Sequence, residues 1–123
     1  MDGLQRIPLD PRVSAPVYHI ASTPSTNSLA VELIADQATP TPHMTTVVAT
    51  EQTAGRGRLT RTWTSAPGKG LTATTVLSLP TSLALASSGW LIHACALAVR
   101  DAVDARLAPL GRTTQTKWPN DVC

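Results

Sequence analysis

Arg56, Arg58 and Arg61 fall within six residues of one another in the stretch "EQTAGRGRLTRTW" (51–63), with Gly55 and Gly57 beside them and Trp63 at its end. Like charges this close repel, and glycine costs entropy to order. An anionic ligand is the obvious reason to accept both. Guanidinium groups offer a planar fork of donors that fits carboxylate and phosphate oxygens and stays charged at any relevant pH. The glycines let the backbone approach a ligand and turn its N–H groups toward an anion. Trp63 can cover a flat or apolar ligand face. The combination suits a small molecule carrying an acid or phosphates.

Two blander readings stand beside it. Arginines on exposed loops are often simply solvated. Arginine–glycine segments also bind RNA, but those are usually repetitive, and this one is single and flanked by strand-like sequence. Two known phosphate motifs do not apply. Thr60 occupies the third glycine position of a dinucleotide fingerprint, and "PGKGLT" (67–72) lacks the earlier glycine of a Walker loop.

Two further groups have types suited to chemistry. Ser25, Thr26 and Asn27 put hydroxyls and an amide side by side, and Gln52 adds a second amide just before the glycines. In isolation Ser25 reads as a helix cap and Gln52 as an ordinary strand-end residue. "KWPND" (117–121) mixes a cation, an anion and a rigid turn; as bare sequence it is a turn following a strand.

The elements that must position these residues follow from pattern. Residues 1–16, with Pro8, Pro11 and Pro16, lack periodicity and read as a loosely ordered lead-in. "VYHIA" (17–21) is a strand. Ser25 or Thr26 caps a helix whose apolar positions are Leu29, Leu33 and Ile34, filled in by Ala30 and Val31. "MTTVVATEQ" (44–52) is β-branched and reads as a strand leading into the glycine–arginine stretch. "LTATTVLSL" (71–79) has a period near two and ends at Pro80. From about Leu83 to Leu107, Ile92, Cys95, Ala96, Val99, Val103 and Leu107 recur at helical spacing, and "PLG" stops that helix. "TTQTKW" (113–118) is a strand. The order is β-α-β-loop-β-α-β.

Length and composition bound the answer. The 123 residues make one small domain, with 42% apolar and 15% charged residues, which argues against disorder. A net charge of +2 is too small to imply a nucleic-acid footprint by itself. Cys95 and Cys123 do not make a disulfide framework, and the N-terminus lacks the apolar run of a signal peptide. "WLIHACALAV" (90–99) is too short to span a bilayer. We read a soluble, cytoplasmic chain with no membrane partner.

"TEQTAGRGRLTRTWTSAPGKGL" with "STN" upstream and "KWPND" downstream resembles the catalytic domain of biotin–protein ligases, over roughly residues 17–123. The resemblance implies an α/β fold, a mixed sheet flanked by helices of the class II aminoacyl-tRNA synthetase type. It implies a ligase that joins biotin to ATP as biotinyl-5′-AMP and passes biotin to a lysine of a carboxylase's biotin carrier domain. Ser25, Thr26, Asn27 and Gln52 match biotin contacts. Gly55, Arg56, Gly57 and Arg58 match the loop that folds over biotin and the adenylate. Arg58 matches the arginine on the reacting carboxylate and α-phosphate. Arg61 suits the departing pyrophosphate, and Trp63 packs over biotin and nucleotide. Lys117 would offset phosphate charge, Asn120 would contact the adenylate, and Asp121 would orient Mg2+ or the reacting groups. Thr60, at the loop's sixth position, is a mild departure that reduces the loop's freedom.

Three expectations complete the reading. The chain is an N-terminal part of the catalytic domain, without its C-terminal half and small β-barrel, and is weak or inactive alone. With no winged-helix domain before residue 17, it binds no DNA. The alternatives are a lipoate–protein ligase-like enzyme and a non-catalytic fragment that binds ligand weakly.

Overall fold

The computed structural model describes residues 2–57, 59–117 and 121–123, with the side chains of 84–88 excepted. The chain divides into two compact units, Met1–Ser78 and Leu79–Cys123, and each is described by itself.

The first unit is a five-stranded mixed sheet with one helix. Strand β1 (Gln5–Arg6) pairs antiparallel with β2 (Val17–Thr23), so the expected lead-in contributes a short edge strand. Two residues are below the length that periodicity can reveal; Ile7 N–H donating to Val17 O at 2.8 Å extends the pairing. Helix α1 (Thr26–Ala35) carries the chain from β2 to β3 (Thr46–Arg56), and these strands pair in parallel. A parallel pair needs such a crossover.

Strand β3 organises the unit. Its first half, Thr46 to Ala49, pairs antiparallel with β5 (Thr72–Thr75), and its second half, Gln52 to Arg56, pairs with β4 (Thr62–Ser65). Three differences from the sequence reading fall here. The strand starts at Thr46 rather than Met44, because Met44 holds a left-handed φ of 67° that a strand does not accommodate. It also runs through Gly55 into Arg56, and the segment read as a loop returns as β4. Finally, β5 covers only Thr72–Thr75 of the strand expected over 71–79; its inward face is Thr72 and Thr74, and Leu71 is 81% exposed.

The core is Tyr18, Leu29, Ala30, Leu33 and Val47, between α1 and the sheet. Leu29 and Leu33 occupy the face expected of them. Val31 and Ile34 are 66% and 55% exposed, since a ten-residue helix on one sheet buries a single stripe.

In the second unit, α2 (Thr81–Leu107) runs two residues further toward its N-terminus than periodicity indicated. A 3-10 turn, Ala108–Leu110, closes it, and Gly111 adopts φ 64°, the left-handed conformation a helix stop requires. Strands β6 (Thr116–Lys117) and β7 (Asp121–Val122) form an antiparallel pair. The expected strand over 113–118 is thus shorter, and its partner β7 was not expected. The "PN" of the turn, with Trp118, lies outside the described residues. On α2, Ala96 is buried, while Ile92, Val99 and Val103 keep substantial exposure.

Candidate ligand-binding site

The first turn of α1, the second half of β3, β4 and β5 surround a cavity of about 270 Å3, lined by Ser25, Thr26, Asn27, Gln52, Arg56, Trp63 and the Leu71–Thr74 segment. The local fold explains why these side chains meet. Ser25 is extended (φ −158°), and its hydroxyl accepts from Ser28 N–H at 3.4 Å, so it is the helix cap the sequence indicates. Capping begins the helix at Thr26 and sets Thr26 and Asn27 at its mouth.

Gln52 is 3% exposed. Its Oε1 accepts from Thr26 N–H at 2.9 Å and from Thr26 Oγ1 at 3.1 Å. One otherwise unpaired donor of the helix start is satisfied in this way. The backbone of Gln52 is fixed as well, its N–H donating to Ser65 Oγ at 3.0 Å.

Between Gln52 and Gly55 the register with β4 slips: Gln52 faces Ser65, whereas Gly55 faces Trp63. Three steps on β3 match two on β4, which is a β-bulge. In a regular strand, residues three apart point to opposite faces. The bulge brings both to the same side. A Cβ on Gly55 would collide with Gln52 Nε2 and lie 2.5 Å from Trp63 Cε2. Gly55 is therefore required by close packing, with the Trp63 ring over it. Ala54 N–H donates to Pro24 O at 2.9 Å and ties the bulge to the start of α1.

Beyond the bulge, Gly57 N–H donates to Arg61 O at 2.6 Å and closes the turn between β3 and β4. Leu59 and Thr60 both sit at positive φ, 56° and 62°. Thr60 thus takes up a conformation that glycine would adopt without strain. Arg56 is exposed, with Nη2 donating to Ser28 Oγ, and it borders a second cavity with Asn27, Val31 and Glu32. The site so far offers a polar, hydrogen-bonding floor, an aromatic wall and an exposed cation.

A sequence profile of the Biotin/lipoate A/B protein ligase family matches residues 19–123. The chain belongs to that family. It is 38% identical over 98 residues to the bifunctional ligase/repressor BirA of Bacillus spizizenii, covering 80% of this chain and 28% of that protein. Its fold is similar to the biotin protein ligase of Leishmania major in complex with biotin: TM-score 0.66, 32% identity, 85% of this chain and 44% of that one. The complex of the Leishmania major enzyme with biotinyl-5-AMP gives TM-score 0.65 and 33% identity, over 86% of this chain and 46% of that one. The chain thus spans under half the length of these relatives, over the N-terminal part of the ligase catalytic domain.

Of the residues the sequence assigned to this ligase-family chain, Ser25, Thr26, Asn27, Gln52, Arg56 and Trp63 line one cavity. Gly55 lies under Trp63, and Gly57 and Arg61 close the adjoining turn. Arg58 and Asn120 lie outside the described residues. Lys117 and Asp121 belong to the second unit, where they are exposed register partners on β6 and β7. Among the described residues no group of three or more His, Cys, Asp or Glu side chains could hold a metal ion. None of the helices there is long and apolar enough to cross a membrane. The sequence reading missed Ser65, Thr72 and Thr74, whose hydroxyls back the site; the period-two pattern of 71–79 held the signal, with threonines on one face.

Proposed function

We propose that this chain binds biotin in the cavity between α1, β3, β4 and β5 and supports its activation by ATP to biotinyl-5′-AMP, ahead of transfer to a lysine of a carboxylase's biotin carrier domain. The cavity's polar floor is the observation that carries this reading. A cyclic urea has a carbonyl acceptor and two N–H donors, and the hydroxyls and amides of Ser25, Thr26, Asn27 and Gln52 offer both kinds of partner. The dithiolane of lipoate has no such groups, so the polar floor favours biotin over the lipoate reading. Trp63, 43% exposed above Gly55, gives an apolar face for the rest of the molecule.

In the reaction the biotin carboxylate attacks the α-phosphate and pyrophosphate leaves. Two anions must meet, so catalysis is mainly positioning and charge neutralisation. Arg56 and Arg58 would hold the carboxylate and α-phosphate, Arg61 and Lys117 the departing phosphates, and Asn120 the adenylate. Asp121 would hold Mg2+, a hard cation that needs only one or two protein carboxylates; when bound it would neutralise phosphate charge.

The test is binding rather than turnover. Biotin is titrated into the 123-residue chain with tryptophan fluorescence as the signal, with and without MgATP. A saturable response that tightens with MgATP is expected. A flat response from a chain whose circular dichroism shows it folded overturns the reading.

A further inference from the structure

Strand β5 contributes a residue that the sequence motifs do not single out. Thr74 Oγ1 lies 2.9 Å from Thr26 Oγ1 and 2.6 Å from Asn27 Oδ1. One hydroxyl therefore joins both α1 residues at the mouth of the cavity, and through Thr26 it reaches Gln52 Oε1 at 3.1 Å. Thr74 also lines the cavity itself. The backbone beneath it is held by pairing with Val47, a fully buried residue of β3.

Counting protons shows what this cluster asks of a ligand. Three oxygen–oxygen contacts, Thr26 with Gln52, Thr74 with Thr26 and Thr74 with Asn27, share the protons of two hydroxyls. Each hydroxyl has one proton to give. With the Asn27 amide oxygen facing Thr74, one contact is left without a proton, and the cluster presents acceptor lone pairs to an N–H donor brought by a ligand. A polar cluster whose contacts are completed by a ligand's donors discriminates for that ligand.

We propose that Thr74 is a positioning residue: its hydroxyl locks Thr26 and Asn27 in place and makes this wall an acceptor surface for the N–H groups of a cyclic urea. The inference rests on the biotin reading above and deepens it, by naming the residue that sets ligand choice from behind the motif residues.

The test compares the parent chain with Thr74→Val, Thr74→Ser and Thr75→Val, each checked by circular dichroism, in biotin titrations followed by tryptophan fluorescence. Valine keeps the shape and removes the hydroxyl; serine keeps the hydroxyl and removes the methyl. Thr75 is the neighbouring strand threonine, bonded to Thr46 at 2.9 Å and not to the site. Thr74→Val should weaken biotin about tenfold, the scale of one hydrogen bond lost with its partners left in place. Thr74→Ser should bind within about threefold of the parent, well inside that loss, and Thr75→Val like the parent. Equal binding by parent and Thr74→Val overturns the proposal, as does serine binding no better than valine. If Thr74→Val does not fold, Thr74→Ser decides: parent-like affinity supports the hydroxyl's role and a valine-sized loss refutes it. A parent chain that is folded and blind to biotin fails the ligase reading itself, a separate outcome.

Discussion

Thr26 and Gln52 are joined twice, the Gln52 Oε1 accepting both the backbone N–H and the hydroxyl of Thr26 at 2.9 and 3.1 Å. The pair links the first turn of α1 to the middle of β3, across a separation of 26 residues. It also fixes the Gln52 amide, since the oxygen is committed to Thr26. Both residues are buried. Gln52→Leu would leave the Thr26 N–H without its partner, while the Thr26 hydroxyl keeps Thr74 Oγ1 at 2.9 Å. The expected cost is about 1–3 kcal/mol of stability, the range for orphaned buried polar groups, together with loss of biotin binding. Urea unfolding and a biotin titration of the same variant check both; a variant as stable as the parent would show that the pair does not brace the site.

Gly55 stands between Gln52 and the Trp63 ring, and the space for a methyl group is already occupied. Gly55→Ala must displace the indole or the amide. Overpacking of this kind typically costs about 1–3 kcal/mol. Tryptophan emission should shift in the unliganded variant, because Trp63 is pushed from its contact, and biotin should no longer quench it. An unshifted spectrum with parent-like affinity would mean the ring sits elsewhere in solution.

The sequence revealed the motif residues far better than the geometry that joins them. Ser25 as a cap and the α1 stripe of Leu29 and Leu33 follow from local rules, so they were legible. The bulge between Gln52 and Gly55 was not, because an extra residue in a strand leaves no mark on composition; it is defined by the partner strand's register. Strand β4 was hidden for a related reason. "TWTS" carries its β-signal inside a stretch whose glycines and arginines read as loop. Thr72 and Thr74 are legible as strand residues but not as site residues, because a period of two does not say which face the site lies on. A functional site is where the usual pairing of apolar with inside is expected to fail.

Arg56 is exposed and bonded to the Ser28 hydroxyl on α1. Removing it should change stability by no more than about 0.5 kcal/mol, as for most surface substitutions. Its effect belongs to anion binding. Arg56→Ala should weaken a non-hydrolysable biotinyl-5′-AMP analogue by about tenfold or more, the scale of a hydrogen bond to a charged group. The loss should shrink as salt is raised, because the interaction is exposed to screening. Arg56→Lys should recover little of it, since a point charge lacks the planar fork. Calorimetric titration at low and high salt measures all three, and full recovery by lysine would count against a bidentate contact.

Asp36 follows the last turn of α1, and its backbone N–H donates to Glu32 O at 2.9 Å. Its carboxylate accepts from the Thr39 hydroxyl at 2.6 Å and from Ala38 N–H at 3.1 Å. The Thr39 hydrogen bond first, and the Ala38 bond second, hold its pKa below the ordinary 3.8. A carboxyl whose folded value is depressed binds fewer protons than the unfolded chain. Its contribution to stability is therefore full above about 3.8 and is lost as the pH falls through the lower, folded value. Carboxyl carbon NMR should show Asp36 titrating below 3.8, and Thr39→Val should move its midpoint up. Asp36→Asn should flatten the acid limb of the stability curve without moving its neutral plateau by the same amount, because the amide still accepts from Ala38. A midpoint at or above 3.8 in the parent chain would mean that the turn after α1 does not hold the carboxylate in this arrangement.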